Sequence, residues 1–288
     1  MIWILLSICS SILIFVVFTY LKKFSIDNLQ AILVNYLVAF SIGQAQMGFS
    51  KPLVSVLEQP WLNSVLLLGF LFITLFNLMA WVSQNFGLTT VSIAVKMSVM
   101  VPISFGIFYY NESASALKIS AIILALLAVW MSTYKPARIK SNPLSIILPI
   151  LLFLGSGFLD SFLKYNQQEL VPAEDQAWFA SSIFGFAAIF GIVAIIYRYF
   201  KMRVPLQFKA LLGGIALGVP NYGSIYFLLR ALDSPGMESS SLFAINNVGI
   251  VALSSLLGYF AFKEKLSPIN IAGIILAIIS ILLITVVL

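Results

Sequence analysis

Histidine is absent from this 288-residue chain, and cysteine occurs once, as Cys9. Without histidine the chain lacks the usual general base and the commonest metal ligand, and it cannot form a Ser-His or Cys-His nucleophile pair. A single cysteine excludes an internal disulfide. The sequence also has no phosphate-binding loop and no glycine-rich dinucleotide fingerprint. These absences predict a protein that is not an enzyme, hydrolyses no ATP, and uses no metal or cofactor.

Charged residues are also scarce, at 9% of the chain, whereas a soluble domain usually carries about 25%. The hydrophobic share is 61% and the mean hydropathy is +1.06. Apolar runs of roughly 18 to 25 residues are long enough to cross a bilayer as helices. Ten such runs lie at about 2–21, 29–48, 61–84, 88–110, 115–134, 144–168, 176–200, 208–230, 238–262 and 268–288. We therefore expect an all-α integral membrane protein with ten transmembrane helices, the first of which is a retained span and not a cleaved signal.

The cations of the loops are distributed unevenly. Eleven follow the odd-numbered spans: Lys22, Lys23, Lys135, Arg138, Lys140, Arg198, Lys201, Arg203, Lys209, Lys263 and Lys265. Three follow the even-numbered spans: Lys51, Lys118 and Arg230. This bias predicts that the odd-numbered loops are cytoplasmic, with both termini outside, in a multi-pass protein of the cytoplasmic (inner) membrane. It also explains the net charge of +6 without nucleic-acid binding.

An internal repeat divides the chain. Residues 105–125 (FGIFYYNESASALKISAIILA) align with residues 257–277 (LGYFAFKEKLSPINIAGIILA) at nine identities. A polar stretch, YKPARIKSNP, begins after the fifth span, so the predicted units are 1–135 and 143–288. Five spans per unit place the second unit upside down relative to the first. Inverted repeats of this kind are typical of secondary transporters, which form one central site between two similar gates.

The repeated unit resembles the EamA-type repeat of the ten-helix drug/metabolite transporter superfamily. The resemblance covers essentially the whole chain and is carried by the turns YYNESAS and FKEKLSP, each followed by an Ala/Gly-Ile-Ile-Leu-Ala helix. Its best positions are Gly106, Glu112, Gly258, Glu264, Pro268 and Gly273. The resemblance implies two inverted five-helix units and the export or uptake of a small metabolite. At Asn35 the sequence departs from the arginine that the family often carries early in its second helix.

Three charged side chains lie deep within predicted spans: Lys96, Asp160 and Lys164. A charge there costs about 2.5 to 3.5 kcal/mol on insertion scales, so it usually faces a partner, a cavity or a pathway. We expect Lys96 to contact an anionic or carboxylate-bearing solute, the alternatives being snorkelling or a structural ion pair. Asp160 precedes Lys164 by one helical turn. This pair is either the coupling site, with protons as the candidate ion, or purely structural.

Neutral polar residues and helix breakers complete the predicted site. With Lys96, the expected solute-binding residues are Asn77, Trp81, Gln84, Asn221, Tyr222, Asn246 and Asn247, on the third, fourth, eighth and ninth spans. Interhelical hydrogen bonding and aromatic packing are the alternatives. Pro102 and Pro220 are expected to interrupt their helices and, with Glu112 and Glu264 at helix starts, to form the gates. Gly214 and Gly218 form a small-xxx-small pair that predicts a close helix contact.

Together these features predict a secondary active transporter of a small anionic or zwitterionic metabolite that works by alternating access. Its expected partners are that solute, membrane lipids and protons, and it would act as a monomer or homodimer. A flippase for a lipid or a lipid-linked sugar is the main alternative, because it differs only in the solute. A membrane-embedded enzyme would need a nucleophile and base or a metal site, and a scaffold would be expected to bring a soluble domain or large loops.

Overall fold

The structure is a computed structural model that describes residues 1–86, 94–95, 98, 100–110, 116, 119–120, 123–124, 127–128, 131, 144–234, 237–262 and 267–287. Every regular element in these segments is helical. The long helices are α1 (Ile2–Lys23), α2 (Asn28–Gln46), α3 (Leu62–Phe86), α4 (Met100–Tyr109), α5 (Leu144–Glu169), α6 (Gln176–Met202), α7 (Phe208–Leu232), α8 (Ser239–Phe262) and α9 (Pro268–Val287). Short 3-10 helices at Leu53–Glu58 and Ala173–Asp175 precede α3 and α6.

Four segments within the described residues are long and apolar enough to cross a membrane: Ile2–Lys23, Leu62–Val82, Ala173–Met202 and Phe208–Leu232. They correspond to the first, third, seventh and eighth predicted spans. An all-helical protein with several membrane-length apolar helices is compatible with a membrane location. The bounds of α1, α2, α3, α5, α6, α7, α8 and α9 all lie within two residues of the predicted spans. The predicted unit boundary, at 135–143, lies outside the described residues.

Helix α2 lies between α7 and α6 and contacts both along most of its length. Towards α7 the helices approach closely: a Cβ added at Gly214 would lie 2.3 Å from the Val34 Cβ, and one at Gly218 would lie 2.6 Å from the Val38 Cβ. The predicted close contact at this glycine pair is therefore confirmed. The contacts ascend both helices together, so α2 and α7 are parallel.

Towards α6 the direction is reversed. Gly191 of α6 faces Leu33, and Ser181 donates a hydrogen bond to the Phe40 carbonyl at 3.1 Å. The residue numbers fall along α6 as they rise along α2, so these two helices are antiparallel. A third pair, α3 and α6, is parallel, because Trp61 contacts Phe179 and Phe70 contacts Phe190.

The long helices form two bundles. Bundle one contains α1, α2, α7 and α8, with α9 packed on α8. Bundle two contains α3, α4, α5 and α6. The main contacts between the bundles are those of α2 with α6 and of α4 with α8. Each bundle therefore combines helices from both predicted units.

The helix ends fall into two groups. Leu21, at the end of α1, lies against Gly213 near the start of α7, and Asp27 before α2 binds Arg198 near the end of α6. We call this the Arg198 end. At the opposite end, which we call the Asp175 end, Lys51 after α2 pairs with Asp175 before α6. The cations Lys22, Lys23, Arg198, Lys201, Arg203 and Lys209 belong to segments at the Arg198 end. The loops after the first and seventh spans thus share one end, as the charge argument requires.

This placement makes a testable topology prediction. In a Cys9→Ser background, Ala173→Cys at the Asp175 end should react with a membrane-impermeant thiol reagent in intact cells. Met202→Cys at the Arg198 end should react only after the membrane is permeabilised, because the cation-rich end is expected in the cytoplasm. Both positions are exposed. A reversed pattern would contradict the orientation, whereas labelling of both in intact cells would contradict their separation by a membrane.

Candidate functional site

Five aromatic side chains meet where α2, α3, α6 and α7 approach one another. We call this group the aromatic cluster; it consists of Tyr36, Phe72, Phe76, Phe184 and Tyr222. The Tyr36 ring is stacked on Phe184 with centroids 6.1 Å apart and meets Phe76 edge-on at 6.0 Å. Phe184 in turn lies 5.8 Å from Phe72 and 6.1 Å from Tyr222. Such pairs add about 0.5 to 1.5 kcal/mol each beyond area burial.

The cluster lies at mid-depth and between the bundles. Tyr36 is eight residues beyond the first residue of α2, about 12 Å along the helix at 1.5 Å per residue. Phe184 is likewise eight residues into α6, counted from the opposite end because the two helices are antiparallel. Tyr36 and Tyr222 belong to bundle one, and the three phenylalanines belong to bundle two. The contacts of the two tyrosines with the three phenylalanines therefore cross from one bundle to the other.

Polar atoms without a hydrogen-bond partner accompany this cluster. Asn35 is 0% exposed, and neither its amide nitrogen nor its amide oxygen has a partner. The Tyr36 hydroxyl and the Asn221 amide nitrogen are also buried without a hydrogen-bond partner. An unsatisfied buried polar group costs about 1 to 3 kcal/mol in proteins. The centre of the molecule thus holds buried donors and acceptors whose hydrogen-bonding capacity is unused.

A polar region continues from the cluster towards the Asp175 end. The Tyr222 hydroxyl donates to the Gln46 Oε1 at 2.7 Å. One turn further along α7, the Arg230 Nε donates to the Tyr226 hydroxyl at 3.1 Å, and the Arg230 guanidinium lies over the Tyr226 ring at 5.4 Å. Two cations, Arg230 on α7 and the buried Lys164 on α5, thus lie against the rings of Tyr226 and Tyr110.

Lys164 and its neighbours connect α5 to the adjacent helices. The Lys164 Nζ lies 4.4 Å from the centroid of the Tyr110 ring, which follows α4. Gln167, one turn later, donates from Nε2 to the Leu229 carbonyl of α7 at 3.0 Å. The Gln167 Oε1 has no partner. These contacts bring α4, α5 and α7 together on the Asp175 side of the cluster.

Comparison with known proteins supports the fold. No protein-family model matches the sequence. An uncharacterized protein of Haemophilus influenzae is 27% identical over 281 residues, which cover 94% of this chain and 93% of that protein. A protein of known crystal structure superposes with a TM-score of 0.72 at 14% identity, covering 99% of this chain and 96% of the other. The two share a fold. At that identity the likeness extends to the fold alone.

The predicted residues of the third span lie beside the aromatic cluster. Asn77 follows Phe76 directly, is half-buried, and donates from its amide to the Ile73 carbonyl of its own helix at 2.7 Å. Trp81, one turn later, is 43% exposed. Gln84 belongs to α3, but its side chain lies outside the described part of the structure. Phe72 and Phe76 are the members of the aromatic cluster on α3.

The predicted residues of the second unit are buried. Asn221 and Tyr222 lie near the middle of α7, where Tyr222 joins the aromatic cluster. On α8, Asn246 is buried and its Oδ1 has no partner, whereas the half-buried Asn247 donates to the Phe243 carbonyl of its own helix at 2.9 Å. Asn221 and Asn246 therefore retain unused hydrogen-bonding capacity, as a binding role requires.

The charged and gating residues have different placements. Asp160 is half-buried on α5, one turn before the fully buried Lys164. Pro102 is the third residue of α4, in a first turn that tolerates the missing N–H. Pro220 lies inside α7, which continues past it as one helix, so it removes the hydrogen bond to the Ala216 carbonyl without dividing the helix. Lys96, Glu112 and Glu264 lie outside the described residues.

Sequence reasoning missed Asn35 and Tyr36 as site residues. In the sequence, Asn35 is only a departure from a family arginine, and Tyr36 resembles any other aromatic residue of an apolar span. A usable signal does exist: Asn35 and Tyr36 are adjacent polar side chains near the centre of the second span, and Asn221 and Tyr222 repeat the pair in the eighth. The two Asn-Tyr pairs lie on the parallel helices α2 and α7 of one bundle.

Proposed function

We propose that this protein is a secondary active transporter that moves a small metabolite through a site at the centre of the membrane, between two inverted five-helix units. The observation that carries the proposal is the set of unpartnered buried polar atoms of Asn35, Tyr36 and Asn221. They lie at mid-depth, beside the contact between the two bundles. Groups so costly to bury in an apolar protein persist where water or a solute satisfies them.

The pattern of helix contacts supports the repeat. The proposed repeat makes α1 the counterpart of α5, α2 of α6, α3 of α7 and α4 of α8. If each helix is replaced by its counterpart, the α2–α7 contact becomes the α6–α3 contact. In the same way the α1–α7 contact becomes the α5–α3 contact, and the α1–α8 contact becomes the α5–α4 contact. All of these pairs are in contact. In the α2–α6 and α4–α8 contacts the two helices are counterparts of each other, as expected for helices beside a twofold axis.

The helix directions support the inversion. The exchange relates α2 to α6, and these neighbours are antiparallel. A twofold axis that relates antiparallel neighbours is perpendicular to them, and it lies in the membrane plane if both helices cross the bilayer. Such an axis gives a transporter two similar pathways to one central site, one from each face. The resemblance to the drug/metabolite transporter superfamily agrees with this arrangement.

The charges near the site favour an anionic or zwitterionic solute. Arg230 and Lys164 lie on the Asp175 side of the aromatic cluster, against the rings of Tyr226 and Tyr110. The cluster offers stacking surfaces, and Asn35 and Asn221 offer amides for a small polar group. Asp160, on the same helix as Lys164, is the candidate group for proton coupling. The cytoplasmic membrane is the proposed location.

A ligand screen with a matched variant tests this function. The detergent-solubilised protein is heated with amino acids, sugar phosphates, nucleobases or isoprenoid lipids. We expect one water-soluble class to raise the melting temperature in a concentration-dependent way, because a ligand at 100 times its Kd stabilises the folded state by about 2.7 kcal/mol. Tyr36→Phe removes one buried hydroxyl and should reduce that shift while leaving the unliganded melting temperature unchanged or higher.

Two results would contradict the proposal. Stabilisation by the headgroups of long-chain lipids alone would indicate a flippase. A water-soluble ligand whose effect is identical in wild type and in both Tyr36→Phe and Asn221→Leu would bind elsewhere. Counterflow of the stabilising compound in proteoliposomes then distinguishes transport from mere binding.

A further inference from the structure

The antiparallel contact between α2 and α6, which we call the seam, is closed by an ion pair at each of its two ends. At one end the Arg198 guanidinium binds the Asp27 carboxylate through NH1 at 3.2 Å and NH2 at 2.9 Å. At the other end Lys51 pairs with Asp175. Both pairs join bundle one, through α2 and its flanking residues, to bundle two, through α6 and its flanking residues.

The two ion pairs are counterparts under the proposed twofold exchange. Asp27 is the residue before α2, and Asp175 is the residue before α6. Each acid binds a cation from the far end of the opposite helix: Arg198 is in the last turns of α6, and Lys51 follows α2. The same device therefore occurs twice, once near each face of the molecule.

The pairs differ in geometry and in the contacts of the residues around them. At the Arg198 end the Asp27 N–H also donates to the Gln207 Oε1 at 2.8 Å. Gln30 and the loop before α7 exchange two hydrogen bonds, from the Gln30 Nε2 to the Pro205 carbonyl at 2.9 Å and from the Gln207 N–H to the Gln30 Oε1 at 2.7 Å. At the Asp175 end Lys51 forms a single-point pair, and its Nζ lies 5.0 Å from the Trp178 ring.

We propose that these ion pairs are reciprocal gates: opening of the seam at the Arg198 end requires closure at the Asp175 end, and the reverse. This rests on the proposed function, since rocking of two bundles around a central site separates their contact at one face while pressing it together at the other. The ion pairs are the directional bonds at the two places that separate. In this structure both are formed, so the seam is closed at both ends.

The difference in geometry sets the balance between the two open states. A bidentate guanidinium–carboxylate pair is harder to separate than a single-point ammonium–carboxylate pair in which the lysine side chain is 39% exposed. The Asp175 end therefore opens more readily. Loss of the Arg198 pair shifts the balance strongly, and loss of the Lys51 pair shifts it weakly in the opposite direction.

Two alanines on α6 provide matched reporters. Ala194 lies one turn before Arg198, Ala177 lies two residues after Asp175, and both are half-buried. Helical spacing places them on the face that carries Ser181, Gly191 and Arg198, which is the face of the seam. In a Cys9→Ser background, Ala194→Cys and Ala177→Cys are labelled in proteoliposomes with an impermeant maleimide applied to each side in turn, without any solute.

The expected result is a reciprocal change. Arg198→Gln should raise the labelling rate of Ala194→Cys about fivefold, equivalent to roughly 1 kcal/mol, and lower that of Ala177→Cys. Lys51→Gln should raise labelling of Ala177→Cys by about twofold and lower that of Ala194→Cys. Arg198→Lys keeps the charge but loses the bidentate geometry, so its labelling rates should lie between those of wild type and Arg198→Gln.

Controls come from exposed neighbours of the paired residues. Lys201→Gln on the last turn of α6 and Glu174→Gln beside Asp175 remove a charge without removing either ion pair, and both should label as wild type. If Lys51→Gln protein is recovered poorly, Asp175→Asn removes the same pair. An increase at the mutated end with no decrease at the other end overturns reciprocity, and unchanged labelling overturns the gating role.

The labelling experiment separates this inference from the proposed function. If the labelling changes reciprocally but the protein moves none of the tested solutes, the result supports the gating role of the ion pairs and refutes solute transport. If counterflow is measured but labelling does not change when either ion pair is removed, the result supports transport and refutes the gating role.

Discussion

Gly214→Ala is expected to destabilise the protein by about 2 to 3 kcal/mol, although alanine favours helix more than glycine does. The added Cβ would lie 2.3 Å from the Val34 Cβ and 2.6 Å from the Ala31 carbonyl oxygen on α2. Neither atom belongs to the tip of a flexible side chain, so α2 and α7 must separate. That separation weakens the contact on which bundle one depends. Thermal denaturation of the detergent-solubilised variant measures the loss.

The neighbouring glycine is a matched control. At Gly213 an added Cβ would meet the Leu21 Cδ2 at 2.4 Å, and the other nearby atoms lie at 3.5 Å or more. The end of a leucine side chain can move aside, and alanine gains about 1 kcal/mol of helix propensity over glycine. We therefore expect Gly213→Ala to change stability by less than about 1 kcal/mol. Equal losses at Gly213 and Gly214 would show that the α2–α7 approach is not the cause.

Asn35→Leu should raise stability and abolish most of the transport activity that we propose for this protein. The side chain is fully buried with both polar atoms unpartnered, so an apolar replacement of similar shape removes a desolvation cost of about 1 to 3 kcal/mol. Solute binding that depends on the amide should weaken at least tenfold, the equivalent of roughly 1.4 kcal/mol. Melting temperature and counterflow rate, measured on the same preparation, report the two effects.

Gln30→Leu, on the same helix, provides the opposite expectation. Gln30 is also buried, but it exchanges hydrogen bonds with Pro205 and Gln207. Its replacement removes both hydrogen bonds, and water can reach the exposed Pro205 and Gln207, so stability should fall by about 0.5 to 1.5 kcal/mol. If both variants lose stability alike, Asn35 is a structural residue and the central binding site loses its main support.

Local sequence patterns predicted the helices well because a long apolar run with polar residues at its ends is a local property of the sequence. Apolar runs gave α1 and α2 within two residues of their ends, and the Gly-xxx-Gly spacing at Gly214 correctly indicated a close contact. These features depend on neighbouring residues alone. The predicted span at 88–110 is a different case, since Lys96 and most of its residues before Met100 lie outside the described residues.

The partners of each helix could not be predicted from the sequence. Asp27 and Arg198 are 171 positions apart, and nothing near either residue specifies the other. The sequence predicts that Asn77 and Trp81 of the third span face the solute, and it does not indicate that Phe72 and Phe76 of the same helix join the aromatic cluster. In a helix that is apolar on all sides, periodicity does not reveal which face is turned inward. Packing against other helices decides it.

The mixed composition of the bundles has a consequence for synthesis. Ser7 of α1 donates a hydrogen bond to the Ser224 carbonyl of α7, across 217 positions. When α1 and α2 leave the ribosome, α7 is not yet made, so Ser7 and the surface of α2 that will receive Gly214 have no partner at that stage. Bundle one can close only after α7 has been synthesised. A chain that stops before α7 therefore leaves α1 and α2 without their main contact, and it should be recognised by quality control as unfinished.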